Sequence, residues 1–321
     1  MEVGIEGMGV VGLRVARELA STPGVDRIRA RSQRKGRVDV VREALGDIVG
    51  PWDQQVPDLV VLCGAAGDHG EQAGRWLAQG IPVVSTSDDP SDIRALLDLG
   101  PVARHHDTTL LAGVALSPGV SCLLARHAAA ALDEVTELHV AMVGAAGPAC
   151  VRHRQRLATE KGTELRDGEW AEVPGGSSKQ LAWFPDPIGA KDVAKGDLAE
   201  PILWQRAFPQ AQRLVARTAV ERKDRIWGIV PRRGPRTNEA EPGAVVVEAR
   251  GTRGGAVESI VYAVLDRPAT ATAALVAALA PAVVADELAR GAHGLAEVVE
   301  PLPVLKELAR RGVKAATFDS V

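Results

Sequence analysis

Apolar and polar positions follow two rhythms along this chain, and the change between them marks its organisation. Up to about residue 130, short apolar runs occur at 2–5 (EVGI), 27–31 (RIRAR), 58–63 (DLVVLC), 82–87 (PVVSTS) and 109–116 (TLLAGVAL). Between them, 12–23, 37–47, 68–80 and 89–100 carry apolar residues at i, i+3 and i+4, which predicts helices. Several close on Gly or Pro, as at Gly80, where helix C-termini favour them. Strand and helix in strict turn predict βαβ units and an open parallel sheet covered by helices.

Beyond 119–135 the rhythm changes. The segments 135–144 (VTELHVAMVG), 243–251 (GAVVVEARG) and 256–266 (AVESIVYAVLD) alternate over longer stretches, which suits a sheet with one face on the core and one exposed. The intervening region, about 144–243, is rich in Gly, Pro, Arg and Trp and reads as long functional or mobile loops, notably 173–192 and 230–244. Helical spacing returns at 269–291 and 303–312. The expected division is 1–128, a parallel-sheet domain; 129–267, a second sheet domain for substrate or dimerisation; and 268–321, a helical end.

Composition narrows the function. The 321 residues are 46 % hydrophobic and 25 % charged, ample for a core and enough chain for two domains. A formal net charge of −3, 3 % aromatics and the lack of a basic patch argue against nucleic acid or an acidic membrane surface as partner. Cys63, Cys122 and Cys150 are odd in number and far apart, so free thiols in a reducing compartment are expected, with no metal site. No apolar run of membrane-spanning length and no cationic leader are apparent, which predicts a soluble, cytoplasmic chain. The exposed second sheet would suit a homodimer interface.

The first chemical motif is 3–20, VGIEGMGVVGLRVARELA. Gly7, Gly9 and Gly12 stand as G-x-G-x-x-G between an apolar strand and an amphipathic helix. In a dinucleotide-binding turn the first glycine allows the tight bend, the second lets the backbone approach a pyrophosphate, and the third lets helix and strand pack closely. Met8, Val10 and Val11 share the turn, whose unpaired N–H groups and helix dipole favour an anion. The next strand ends in Arg31, Ser32, Gln33, Arg34 and Lys35, where an NAD-preferring site commonly places a carboxylate. A hydroxyl with guanidinium groups suits a 2′-phosphate, so NADP(H) is the expected cofactor, with NAD(H) possible if this is only a solvated basic loop. Cys63 and Gly64, after the strand 58–63, stand where the nicotinamide ribose could be lined; Asp68 reads as the following helix cap.

The segment 113–129, GVALSPGVSCLLARHAA, together with the glycine loop and more loosely the segments EARGTRGGAVESIVYAV and GLAEVVEPLPVLKELARRG, resembles the saccharopine dehydrogenase-like reductases. The resemblance implies an α/β fold: an N-terminal Rossmann domain with a doubly wound parallel sheet, a second mixed α+β domain, and C-terminal helices that return to the first. It also implies NAD(P)-dependent imine reduction. That family usually carries an acid just before the Pro-Gly, where this chain has Ser117, a candidate substrate contact.

The second domain offers two further groups. In 144–162 His153 could donate a proton and Arg152 or Arg156 could clamp a carboxylate, unless this is a helix start with solvated basic residues. Cys150 beside them reads as a small buried residue. In 175–192 Lys179 offers a cation and Asp186 a carboxylate fixed between two prolines, unless the stretch is a rigid surface turn packed by its aromatics. His105 and His106 read as loop residues, and His139 as half-buried structure. The expectation is an NADP(H)-dependent oxidoreductase acting on the imine or carbonyl of a small, carboxylate-bearing, amino-acid-like molecule. A non-catalytic NADP(H)-binding sensor or accessory protein is the alternative.

Overall fold

The computed structural model describes residues 1–53, 55–157, 159–219 and 241–317; most of the 230–244 stretch singled out above lies outside them. The first half builds β1 (Glu2–Glu6), α1 (Val10–Ala20), β2 (Arg27–Arg31), α2 (Arg37–Leu45), β3 (Val49–Pro51) and β4 (Leu59–Leu62). It continues with α3 (His69–Leu77), β5 (Val83–Ser85), α4 (Pro90–Leu97), α5 (Gly100–His105), β6 (Thr109–Ala112) and α6 (Val120–Ala129). All these strands pair in parallel, in the order β3-β2-β1-β4-β5-β6. Every residue of β4 and β6 is buried, as expected of strands covered on both faces. The chain changes direction across the sheet between β1 and β4, which opens a crevice at the strands' carboxyl ends.

The connection from β3 to β4 covers its face of the sheet with aromatic rings. Trp52 lies flat on β1 at Gly4, where a Cβ would come 2.2 Å from the indole. It stacks on Trp76 of α3 with centroids 5.1 Å apart and planes at 21°. Only glycine at position 4 leaves room for that ring.

The second sheet is built from β7 (Glu134–Val143), β8 (Gly162–Arg166), β9 (Glu169–Val173), β10 (Gln180–Phe184), β11 (Gly189–Lys195), β12 (Arg213–Ala219), β13 (Gly243–Arg253) and β14 (Ala256–Asp266), with α7 (Pro148–Leu157) and α8 (Glu200–Ala207) inserted. Its order is β10-β11-β12-β7-β13-β14, and it is mixed because β12 and β7 run parallel while their neighbours are antiparallel. Val135, Leu138, Val140 and Met142 of β7 are buried, while α6 and α8 pack against this sheet. The region read as long loops is therefore largely regular. Its strands were obscured because β9 and β10 leave Trp170, Leu181 and Trp183 exposed and Gly and Pro interrupt the alternation.

The last segment ties the sheets together. The helix Pro268–Val284 is buried on most sides and packs along α1. β15 (Gly291–Gly294) then joins the first sheet beside β6 as a seventh parallel strand. After the helix Pro301–Arg310, β16 (Lys314–Thr317) crosses to the second sheet and pairs with β14. One continuous apolar core runs from Val3 and Ile5 through Leu123 and Leu275 to Val245 and Val264. Among the described residues no helix is long and apolar enough to cross a membrane.

Candidate active site in the intersheet cleft

The glycine loop sits at the reversal of strand order. Gly7 has φ +100°, and a Cβ there would stand 2.6 Å from the Gly64 nitrogen and 2.7 Å from the Cys63 carbonyl carbon. A Cβ on Gly12 would stand 1.9 Å from the Gly7 oxygen. Gly9 is different: a Cβ there would meet nothing within 4 Å. Gly7 and Gly12 are thus glycine because the turn packs against β4 and itself, and Gly9 faces open space. Gly9 caps α1 without any side-chain hydrogen bond, and the first turn holds no acidic residue. The N–H groups of Val10, Val11 and Gly12 have no intrahelical acceptor. This cradle fits a dinucleotide pyrophosphate. The Met8 side chain is buried in the core, so it offers only backbone. Cys63 is also buried, and desolvation pushes its thiol up to about 12; Gly64 beside it is exposed.

At the end of β2 the basic residues divide. Arg31 forms an ion pair with Glu6, and its guanidinium lies over Trp52 at 4.9 Å. Glu6 also accepts a hydrogen bond from the Trp76 indole at 2.5 Å. Arg31 is therefore committed to the aromatic cover of the sheet. Ser32 Oγ accepts from the Arg34 N–H at 3.1 Å, making a tight turn, and the Arg34 and Lys35 side chains are exposed. Ser32 is half-buried in that turn, and Arg34 stands exposed at this edge of the sheet.

The second sheet's α7 closes over the glycine loop. Gly147, in the bend before α7, packs so tightly on Val10 that a Cβ would stand 3.1 Å from it. A small cavity of about 30 Å³ lies beneath, lined among others by Val11, Asp88, Ser117, Cys150, Arg154 and Thr272. Cys150 and Arg154 are four residues apart on α7 and share its inward face. The Arg154 side chain is 14 % exposed, with Asp88 4.0 Å from Nη2. Its Nε and Nη1 are buried with no hydrogen-bond partner. Burying donors unpaired is costly, and these two belong to a side chain that lines the cavity.

The other candidates on α7 are arranged around Asp88 and Asp89. Arg156 pairs with Asp89 at 2.5 Å and lies 3.0 Å from His153 Nδ1. His153 Nε2 is 3.7 Å from Asp88 and has no hydrogen-bond partner. Asp89 caps α4, accepting from the N–H groups of Ser91 and Asp92. Burial opposes its ionisation, but these bonds, the Ser91 hydroxyl and His153 hold its carboxyl below the usual range. Arg152 is exposed. Lys179 and Asp186 are exposed too, at the two ends of β10, with Asp186 at the tip of a turn held by Ile188 N–H to Pro185 O at 3.0 Å and containing a cis Asp186–Pro187 bond. Neither residue lines the cavity. Asp68 stands at the cap position of α3, but its side chain makes no capping bond. His105 closes α5, a helix absent from the sequence reading, and His106 is its C-cap.

Two buried groups near the cleft escaped the sequence. His69 is wholly buried, with Nδ1 2.8 Å from Ser85 Oγ. Glu200, at the start of α8, is 1 % exposed. Ser117 Oγ donates to its Oε1, as does Ser121 Oγ at 3.0 Å. Burial pushes its carboxyl up, against these bonds and the more distant charge of Arg154. In sequence Glu200 looks like any acidic residue opening a helix; only folding brings it to Ser117.

No protein-family model matches the sequence, and no curated protein matches it significantly. Solved structures do. The apo saccharopine dehydrogenase (L-Glu forming) of Saccharomyces cerevisiae aligns over 99 % of this chain and 100 % of its own, at TM-score 0.69 and 14 % identity. The likeness is one of fold. C. glutamicum DAP dehydrogenase, in complex with DAP, aligns over 97 % of this chain and 98 % of its own at TM-score 0.52 and 20 % identity. An engineered D-amino acid dehydrogenase bound to NADP+ covers 97 % and 99 % at TM-score 0.51 and 19 % identity. The Rossmann-plus-mixed-sheet architecture implied by the sequence resemblance is the one observed.

Proposed function

We propose that this chain is an NADP(H)-preferring oxidoreductase that reduces the imine or carbonyl of a carboxylate-bearing, amino-acid-like substrate in the cleft between its two sheets. One observation carries the reading: Val11 of the glycine loop and Arg154, whose Nε and Nη1 carry no hydrogen bond, line the same cavity. A nicotinamide dinucleotide, when bound, supplies the hydride. The glycine loop would hold its pyrophosphate, and Ser32 with Arg34 its 2′-phosphate. Arg154 presents a largely buried cation whose Nε and Nη1 carry no hydrogen bond, a match for a substrate carboxylate. The saccharopine, DAP and D-amino acid dehydrogenases of like fold support the reaction class and an amino-acid-like substrate. Arg154 thus takes the part for which the sequence offered Arg152 and Arg156 on the same helix.

The test is NADPH oxidation by the purified chain against a panel of 2-oxo acids, with and without amines. Arg154→Met should raise KM for the oxo acid about 30-fold or more, the loss expected when a buried charge pair loses one partner, and leave NADPH affinity unchanged. A wild-type KM in that variant would remove Arg154 from the substrate site. Absence of turnover with every pairing, in a protein that still binds NADPH, would favour the sensor alternative.

A further inference from the structure

Ser117 connects the cleft to a carboxyl that no solvent reaches. It lines the cavity, and its hydroxyl also donates to Glu200 Oε1. Ser121 supports the same oxygen from α6 but is wholly buried and does not reach the cavity. Glu200 forms no ion pair with any described lysine, arginine or histidine; the charges and titratable groups acting on it are Arg154 on α7 and the Cys122 thiol on α6. A carboxylate in such a place lacks the cation that would compensate its burial, whereas a neutral carboxyl needs only hydrogen bonds. Two hydroxyls can supply these in either direction, since each both donates and accepts. When Glu200 donates to Ser117, the Ser117 hydroxyl is free to turn its own proton toward the cleft.

We propose that Glu200 and Ser117 form a proton relay opening into the cleft, in which Glu200 stores the proton and Ser117 delivers it to the oxygen lost from the substrate carbon. The proposal rests on the imine-forming reading above. When an amine has added to a carbonyl, the resulting carbinolamine must lose its hydroxyl. The nitrogen lone pair closes the C=N bond, the C–O bond breaks, and the oxygen leaves as water with the proton from Ser117, which Glu200 replaces. The ammonium group of the next incoming amine returns a proton through Ser117 as it becomes the neutral nucleophile. No electrons enter or leave in this step. Ser117 is the group that meets substrate; Glu200 acts through it.

Two measurements test the relay. The first needs no turnover: Tm against pH for wild type and Glu200→Gln, which keeps shape and hydrogen bonds. A folded carboxyl with raised pKa contributes fully below its unfolded value and loses that contribution as pH rises toward the folded one. The Gln variant should therefore gain in Tm relative to wild type between pH 5 and pH 8. A difference between variant and wild type that stays flat over that range would mean a Glu200 ionised throughout, and would overturn the relay alone. The second is the pH–rate profile. Glu200→Gln and Ser117→Ala should lower kcat about 100-fold and remove the alkaline limb, with NADPH affinity unchanged, and Ser117→Thr should restore both. A wild-type profile in Ser117→Ala would overturn the proposal. A wild type that binds NADPH but turns over nothing would refute the redox reading and the relay's substrate step with it.

Discussion

Gly9 and Gly12 lie three residues apart and answer opposite demands. Gly12 has no room, and Gly9 has room to spare. Gly12→Ala should therefore cost about 1–3 kcal/mol of stability through overpacking, seen as a lower denaturation midpoint. Gly9→Ala should leave that midpoint unchanged and weaken dinucleotide binding about tenfold or more, the equivalent of ~1.4 kcal/mol. Thiol chemistry makes a second contrast. Burial pushes Cys63 and Cys122 up to about 12 and Cys150 to about 11, so the thiolate is scarce at pH 8. Alkylation of the native chain at pH 8 should be slow and should accelerate toward pH 11, while the denatured chain reacts at all three thiols at once. Fast modification of native Cys150 would point to a role beyond packing. At this scale the sequence was legible where local geometry demands a residue type, as in the glycine turn. It was not where tertiary packing decides. Three arginines crowd α7, and only the placement of that helix over Val10 turns Arg154 inward and leaves Arg152 and Arg156 outside.

Short elements with atypical composition escaped the periodicity that revealed the long ones. β3 has three residues and ends in proline, and β15 reads Gly-Ala-His-Gly. Each is a strand because a neighbour offers a parallel edge to pair with, a condition that no window of sequence contains. The aromatic cover beside β3 gives this level its test. Trp52→Ala should cost about 3 kcal/mol and abolish the near-ultraviolet circular dichroism of the Trp52–Trp76 stack. Gly4→Ala, whose methyl would meet that ring, should cost about 1–3 kcal/mol in the wild-type background and much less in the Trp52→Ala background. Additive costs would mean that the ring does not constrain position 4.

The two rhythms of the sequence became two sheets, and the cleft lies where they meet. β7 ends at the bend that carries α7 across the glycine loop, and the helix Pro268–Val284 supplies Thr272 to the same cavity after running along α1. Sequence periodicity conveys the first sheet and the longest strands of the second; it does not convey which loops converge. Convergence brings Val11 of the glycine loop, Arg154 beside Asp88, and Ser117 with its buried partner Glu200 around one cavity. If a nicotinamide dinucleotide organises this site, titration of the purified chain with NADPH and NADH, followed by fluorescence, will show it. Saturable binding that favours NADPH is expected, with a preference that Arg34→Ala reduces and an affinity that Gly9→Ala lowers. Failure of the wild-type chain to bind either dinucleotide would contradict that reading.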